Sequence, residues 1–329
     1  MKILLIHKFH YMLGGTETFH YNLAEALVQA GHEVIFFSMF DERNIPCNQD
    51  KYFVSNVDYN DPSMSFIKKL KTSVKLIYSF EAKHKIERLI RAEKPDIAHI
   101  GLLHRQITFS VVDVLKKYNI PVVMHLHELT AVCPSYTMLR PDGTICSDCA
   151  THGYWNCVKH KCMKKSRSKS LLAFAEAAFL KFGHYYDKID LYIAECDFYK
   201  SLIERAGVTR SPIVKMNNFL PIHQDYRSYS DCEDYILYFG RYAREKGVLT
   251  ILKAYAHLDC KEKLMLVGKG AEYDKICSYI ADNQLTDKVI VHGAIFGEEM
   301  DRIIEKAKVV LVPSEWYENG AFVALQALA

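Results

Sequence analysis

The sequence has no long apolar run and no large excess of one charge. No apolar stretch approaches the roughly 20 residues that a membrane-spanning helix needs, which argues against an integral membrane protein. Lys and Arg together number 42 and Asp and Glu 39, and this near balance argues against nucleic-acid binding over the whole surface. Because 50% of the residues are hydrophobic and 25% charged, a disordered chain or a fibre is excluded as well.

A secretion signal is also missing. The apolar run at residues 2–6 is interrupted by His7, Lys8 and His10, and no small-residue cleavage site follows it. The N-terminal segment therefore predicts the first strand of a cytoplasmic protein. In that compartment the ten cysteines are expected to be reduced thiols, so a close cluster of them favours a metal site over a disulfide framework.

Short apolar runs alternate with segments of helical spacing along the chain. The run at 2–6, the helical spacing that stops at Gly31 and the run at 33–38 form a βαβ pattern, which predicts a parallel sheet with helices on both faces. Further on, the spacing predicts a helix over 106–118 and a strand over 191–194. The fold class indicated is α/β.

The periodicity breaks at residues 219–233, and a second series of strands and helices follows. We therefore expect two Rossmann-like domains, over 1–218 and 234–329, whose strand carboxyl ends face a cleft. The first carries a Cys-rich insertion at about 130–165. The second is short, and its last segment, 320–329, has helical composition without a stop signal, so we expect this domain to be incomplete and the chain to be truncated.

A Gly-Gly pair lies between the first strand and its helix. At Gly14 and Gly15, free backbone N–H groups and the positive helix end could hold a phosphate, although Gly-Gly is also a common turn. The dinucleotide fingerprint G-x-G-x-x-G and the lysine of a P-loop are both missing. Their absence argues against a nicotinamide dehydrogenase and an NTPase.

The loop at residues 240–247 follows the first strand of the second domain and carries two cations. Arg241 and Lys246 could clamp a diphosphate, the arginine through its planar fork and the lysine as a point charge. The alternative is a solvated turn in which Glu245 pairs with a neighbour.

Segment 313–329 joins a predicted buried strand to a helix of small residues. Glu318, at the predicted helix start, could accept hydrogen bonds from sugar hydroxyls, while the N–H groups at residues 319–322 face phosphate. Favourable placement at the helix dipole would also explain this glutamate.

Together the Gly-Gly loop, the G-R-x-x-x-E-K-G loop at 240–247 and the region at 318–326 resemble a family 4 glycosyltransferase of the GT-B fold. The resemblance covers the whole chain. It implies a retaining, hexosyltransferase-type enzyme that moves a sugar from a nucleotide-diphosphate sugar to a glycan or lipid-linked acceptor and requires no bound metal. It also implies a front-face displacement, in which the leaving phosphate accepts the acceptor's proton.

The resemblance further implies roles for individual residues. His127 would approach the sugar from the first domain as a catalytic residue, and Glu318 would be the second catalytic residue and hold the donor sugar. Arg241 and Lys246 would bind the diphosphate, and the Gly15 backbone would lie near phosphate and acceptor. The donor-binding residues implied are Gly15, Arg241, Lys246, Glu318, Asn319, Gly320 and Gln326.

One position departs from the family pattern. The second glutamate of the region, which in the family contacts the nucleotide ribose, is Gln326 here. An amide still forms hydrogen bonds with a diol but lacks the charge-assisted strength of a carboxylate. With the expected truncation, this leaves a second interpretation, a truncated or non-catalytic relative that keeps the fold and at most binds nucleotide.

His127 has two further interpretations. A histidine at a strand end is commonly a structural group. With His125 it also forms H-x-H, whose alternate side chains share one face of a strand and could bind zinc in a hydrolase. The sequence shows no third ligand for such a site.

Four cysteines in the insertion have the spacing C-x2-C-x7-C-x4-C. Cys146, Cys149, Cys157 and Cys162 predict a closed tetrahedral zinc site. Cys133 and His160 are alternative ligands. The other interpretation is a reduced, Cys-rich loop packed on the domain.

Two stretches are rich in basic residues. Residues 149–175 contain no acidic residue, and residues 64–91 carry eight Lys and Arg among apolar side chains. Basic charge beside apolar residues favours a helix that lies on an anionic membrane, which places the protein at the inner face of the membrane, although a solvated basic face is a common alternative. A zinc-stabilised nucleic-acid-binding protein is the third class considered, but it leaves two α/β domains without a role, so no nucleic-acid partner is expected.

Overall fold

The structure is a computed structural model that describes residues 1–56, 66–220 and 229–329. Two compact units divide the chain, Met1–Asn217 and Asn218–Ala329. Much of the segment at which the sequence predicts a linker, 219–233, lies outside the described residues, namely 221–228.

The first unit contains a six-stranded parallel sheet in the order β2-β1-β3-β4-β5-β6. Its elements in chain order are β1 (Lys2–Ile6), α1 (Gly15–Gln29), β2 (Glu33–Phe37), α2 (Phe66–Ile77), α3 (Phe80–Glu93), β3 (Ile97–Ile100), α4 (Ser110–Lys117), β4 (Val122–His125), α5 (Asp148–His152), α6 (Trp155–Lys159), α7 (Arg167–Phe182), β5 (Leu191–Ala194), α8 (Asp197–Arg205) and β6 (Ile213–Lys215). Leu4, Leu5 and Ile6 are fully buried, because β1 is an interior strand, paired with β2 on one side and β3 on the other, in a parallel sheet with helices on both faces.

The second unit contains a four-stranded parallel sheet in the order β10-β7-β8-β9. Its elements are β7 (Glu233–Phe239), α9 (Val248–Tyr255), β8 (Lys263–Val267), α10 (Tyr273–Asp282), β9 (Val289–His292), α11 (Glu298–Lys306), β10 (Ala307–Val310) and α12 (Phe322–Leu328). Leu264 and Leu266 pack with α9 and α10, whereas Leu237 and Val267 pack with Met300 of α11. The two sets alternate along the strands, so both faces of this sheet are covered.

Both units are therefore Rossmann-like, and the predicted α/β class is confirmed. The boundaries differ most at α4, predicted from residue 106 but beginning at Ser110. Arg105 and Thr108 have φ angles of 72° and 65°, a left-handed conformation that a right-handed helix does not accommodate.

The basic stretch at 64–91 forms two helices rather than one. Residues 64 and 65, which the prediction includes, lie outside the described residues. Ser79 separates α2 from α3 and caps α3 by accepting a hydrogen bond from the Ala82 N–H. Ala82, Ile86 and Leu89 are buried in the core, so this face of α3 is occupied by the protein's own interior. Among the described residues, no helix has both the length and the hydrophobicity that spanning a bilayer demands.

Candidate functional site

In the second unit, the loops that follow the neighbouring strands β7 and β10 meet. The 240–247 loop follows β7 and ends at Gly247, whose φ of 69° is left-handed; a Cβ added there would come 2.2 Å from the carbonyl oxygen of Pro313. The N–H of Glu315 also donates to the carbonyl of Glu245 at 2.9 Å. A glycine is needed at 247 because any side chain would separate this loop from the segment that follows β10.

The contact between these loops brings together two of the predicted donor-binding residues. Lys246 Nζ lies 2.5 Å from Glu318 Oε1, and Ser314 Oγ donates to the same oxygen at 2.5 Å. The ammonium also lies 5.1 Å from the centre of the Trp316 ring. Burial alone would raise the pKa of Glu318, but Lys246 and Ser314 hold it below its ordinary value, so the group is a carboxylate at neutral pH.

Arg241 lies in the same loop with most of its side chain in solvent. Its side chain is 61% exposed, and its Nη2 atom lies 3.2 Å from Glu245 Oε1. The pairing that the sequence offered as an alternative is thus present. Such an exposed pair is weak, which leaves the guanidinium able to turn toward a ligand, while the Tyr238 hydroxyl holds the Arg241 carbonyl at 2.8 Å.

The remaining predicted donor-binding residues of this unit precede or lie in α12. This helix begins at Phe322, so Glu318 stands four residues before it and not at its start, as the sequence had suggested. Asn319 and Gly320 lie in the turn before the helix, and Gln326 lies within it. Gly320 has a φ of 141°, which favours glycine at this bend.

In the first unit, Gly15 is the first residue of α1. The residue before it, Gly14, has no side chain that could accept a hydrogen bond from the N–H groups of the first turn. The first turn of the helix carries a buried carboxylate, since Glu17 Oε1 lies 3.0 Å from His7 Nε2 and accepts a hydrogen bond from the Thr16 hydroxyl. Burial raises the pKa of Glu17 and lowers that of His7 to about 3. His7 is therefore a neutral imidazole under ordinary conditions.

His127 lies two residues beyond the end of β4 and is held by a carboxylate that sequence reasoning missed. Its Nδ1 atom is 2.5 Å from Oε1 of Glu195, the residue directly after β5. The two side chains are only 2% and 1% exposed. A carboxylate at Nδ1 selects the tautomer that carries its proton there and fixes the plane of the ring. The available signal was a glutamate at the carboxyl end of an apolar strand, next to β4 in the sheet.

His125, His127 and Glu195 form the group of potential metal ligands in the described part of the chain whose ligand atoms all lie within 4.8 Å of one another. Glu195 is thus the third ligand that the H-x-H interpretation lacked. However, the two imidazoles are stacked, with centroids 4.5 Å apart and planes at 8°. Nitrogen lone pairs lie in the ring plane, so they do not converge on one ion. His127 is hydrogen-bonded to Glu195, whereas His125 Nε2 lies 3.6 Å from Glu195 Oε1, beyond hydrogen-bond distance. The arrangement fits a buried His127–Glu195 pair with His125 stacked on it rather than a zinc centre.

The Cys-rich insertion is a separate cluster. All ten cysteines of the chain are reduced thiols. Cys133, Cys146, Cys149 and Cys162 line one small cavity together with His160. Cys157 is fully buried, and its thiol forms a hydrogen bond with Cys162.

Comparisons with known proteins show the family of the chain. Residues 13–223 match the family described as Glycosyltransferase Family 4, and residues 224–329 match the one described as Glycosyl transferases group 1. An uncharacterized 42.6 kDa protein in the cps region of Klebsiella pneumoniae is 24% identical over 341 aligned positions, which cover 100% of this chain and 83% of that protein.

Solved structures show the same fold at low identity. Anabaena Alr3699/HepE, solved in complex with UDP and glucose, is 16% identical with a TM-score of 0.62, over 100% of this chain and 78% of that one. The lipopolysaccharide outer core galactosyltransferase WaaB, in its apo form, is 15% identical with a TM-score of 0.56, again over 100% and 78%. The chain therefore belongs to glycosyltransferase family 4 and has the GT-B fold of two Rossmann-like domains.

Proposed function

We propose that the protein is a retaining hexosyltransferase that moves a sugar from a nucleotide-diphosphate sugar to a glycan or lipid-linked acceptor. The observation that carries this proposal is the pairing of Lys246 with Glu318 beside the exposed Arg241. Two cations in one loop suit a diphosphate, and a carboxylate held next to them suits the hydroxyls of the attached sugar. The UDP and glucose bound by the Anabaena protein support a nucleotide-sugar donor.

The reaction that we propose is a front-face displacement. The acceptor oxygen forms a bond to the anomeric carbon on the face from which the diphosphate leaves, the bond from that carbon to the phosphate oxygen breaks, and the acceptor's proton passes to the leaving phosphate. Lys246 and Arg241 neutralise the charge that develops on the phosphate. Glu318 is held in its charged form by Lys246 and Ser314, so it accepts hydrogen bonds from the donor sugar.

In the first unit, we propose that His127 contacts the donor sugar and that Glu195 is its positioning residue. Glu195 binds Nδ1, which points the opposite edge of the ring, with Nε2, away from the buried carboxylate. Gly15 begins α1 close in sequence to the His7–Glu17 pair, and its backbone N–H is proposed to lie near the phosphate and the acceptor.

A lipid-linked acceptor at an anionic membrane is supported by exposed apolar side chains on basic helices. Phe182 at the end of α7 is 80% exposed, and Phe80 at the start of α3 is 61% exposed. α7 begins in the stretch of 149–175 that has no acidic residue. The outer core of lipopolysaccharide on which WaaB acts is a lipid-linked glycan of this general kind.

The test is a transfer assay on the full chain with a panel of nucleotide sugars, preceded by measurement of thermal stabilisation by nucleotide diphosphates. Lys246→Ala should lower kcat/KM by about 10²–10³-fold, the usual loss for one preorganised group that stabilises developing charge. Lys253→Ala, at an exposed position on the neighbouring α9, is the matched control and should keep wild-type turnover. Unchanged turnover in both Lys246→Ala and Arg241→Ala would contradict the proposal.

Gln326 supports one other function, a non-catalytic relative that binds nucleotide. Its amide replaces the carboxylate expected to contact the ribose, which weakens that contact. Stabilisation by nucleotide diphosphates without any turnover of nucleotide sugars would favour this alternative.

A further inference from the structure

We propose that the insertion at residues 130–165 holds a structural zinc ion through the thiolates of Cys133, Cys146, Cys149 and Cys162. These four cysteines line one cavity, although 29 positions separate the first from the last. Four thiolates around one point are the donor set of a closed tetrahedral zinc site. The proposal is independent of the transferase reaction.

The ligand set differs from the one that spacing suggested, because Cys133 takes the place of Cys157. The Cys157 side chain is fully buried and does not line the cavity. Its thiol instead forms a hydrogen bond with the Cys162 thiol. Cys157 therefore supports a ligand rather than binding the ion.

His160 also lines the cavity but already has a partner. Its Nε2 atom lies 3.0 Å from Asp148 Oδ2, which accepts a second bond from Arg140 Nη2 at 2.9 Å. Arg140 in turn contacts the Cys146 thiol. This small network lies beside the cavity and supplies a positive charge next to four thiolates, whose complex with one dication is negative overall.

Backbone groups around the sulfurs favour a bound metal. Backbone N–H groups of Ser135 and Met138 point to the Cys133 thiol, and that of Cys157 points to the Cys149 thiol. Such N–H groups stabilise the negative charge of a metal-bound thiolate.

A metal cross-link would stabilise the short helices of the insertion. Its helices α5 and α6 have five residues each, far below the length at which a helix is stable by itself. A zinc–sulfur bond of about 2.3 Å places the four Sγ atoms about 3.8 Å apart. Among the described residues, the cysteines are not a group whose ligand atoms already lie close enough together to hold a metal ion. Zinc binding is therefore expected to contract the insertion and to protect it from proteases.

The experiment measures zinc in the full chain, produced without a histidine tag and purified without chelators. We expect about one zinc per chain by inductively coupled plasma mass spectrometry. Cys133→Ser and Cys149→Ser should lose the metal. Cys157→Ala should keep it, as should Cys277→Ser, which lies in α10 of the second unit and is the matched control. Zinc lost from Cys157→Ala but kept by Cys133→Ser would overturn the ligand set.

Measurements on the wild-type chain keep the test valid if a variant does not fold. Cobalt added to the metal-free protein should produce the thiolate-to-metal charge-transfer and ligand-field bands of a tetrahedral site, and EDTA should lower the Tm of the zinc form. Titration in denaturant without reductant should find all ten thiols. A zinc content below about a tenth per chain after incubation with zinc, or two missing thiols that indicate a disulfide, would overturn the proposal.

Discussion

Both units carry polar side chains after the carboxyl ends of their parallel strands, but these side chains are buried in the first unit and partly exposed in the second. In the first unit His127 and Glu195 are 2% and 1% exposed, whereas in the second Lys246 and Glu318 are 23% and 22% exposed. Burial fixes the first pair in place. In the second pair the Lys246 ammonium keeps Glu318 charged, and partial exposure leaves both side chains able to exchange partners, which suits a site that neutralises a leaving phosphate.

The two units also differ in what shifts the pKa values of these side chains. Burial, reinforced by the neighbouring His127, lowers the pKa of His99 to about 3 and that of His125 to about 2. In the second unit the Lys246 ammonium lowers the pKa of Glu318 against the effect of burial. The first unit thus depends on neutral histidines and the second on a charged carboxylate, which predicts different responses to acid.

Acid should unfold the first unit before the second, and this is the largest effect that we expect. Histidines with a lowered native pKa take up protons in the unfolded chain below about pH 6.5, but not in the native protein, so native stability falls as the pH drops below that value. Each contributes up to about 1.4 kcal/mol per pH unit. The histidines concerned are His7, His10, His20, His99 and His125.

The Glu318 carboxylate, by contrast, has a lower pKa in the native protein than in the unfolded chain. Its contribution to the free energy of unfolding is therefore fully present above the unfolded pKa and is lost only as the pH falls toward the native pKa. Each unit has one of the two tryptophans, Trp155 and Trp316, so fluorescence of Trp316→Phe follows the first unit and that of Trp155→Phe follows the second. The titration is run in EDTA to exclude metal release. Coincident acid transitions for the two reporters would contradict the comparison.

Glu195→Gln tests whether Glu195 acts by orienting the ring of His127. The amide cannot replace the carboxylate as a charged acceptor for His127 Nδ1, so kcat should fall by about tenfold to hundredfold, as for other carboxylates that orient a histidine. Nitrogen NMR of the histidine ring should show a changed tautomer population. A merely structural Glu195 would change Tm but leave both the tautomer and the kcat of the folded variant as in the wild type.

Gly101→Ala probes the packing of the first unit's histidines and has the smallest expected effect. The added Cβ would lie 2.5 Å from His7 Nδ1 and 3.6 Å from His127 Cδ2. We expect a loss of about 1–3 kcal/mol in the free energy of unfolding, measured by urea denaturation, because the rings must move in a closely packed site. Gly293→Ala is the control, since nothing lies within 4 Å of its added Cβ, and it should change stability by less than about 0.5 kcal/mol. Equal free energies of unfolding for the two variants would show that the histidine rings move aside without loss of stability.

Apolar periodicity predicted most of the elements well, because a strand buried on both faces has to be apolar throughout. The strands over 2–6 and 191–194 have the bounds that the pattern indicated. Helix α4 begins later than predicted because Arg105 and Thr108 have a left-handed backbone conformation. Hydrophobic spacing does not reveal such a conformation, and neither residue is a glycine that would indicate it.

Contacts between distant residues were harder to predict. Glu195 lies 68 positions from His127, and only the adjacency of β4 and β5 brings them together. Likewise, the proposed zinc ligands include Cys133 in place of Cys157, because Cys133 lines the cavity of the insertion and Cys157 does not. The spacing of the cysteines in the sequence does not show which of them is buried away from the cavity.

The sequence by itself determined the α/β class, the alternation of elements and the loop in which Arg241 and Lys246 stand, because these follow from local periodicity and from short motifs. Only the tertiary structure decided that Lys246 pairs with Glu318, that Glu195 holds His127 and which thiols share a cavity. Those facts depend on strand order and burial, and both are set by how remote segments pack to remove apolar surface from water.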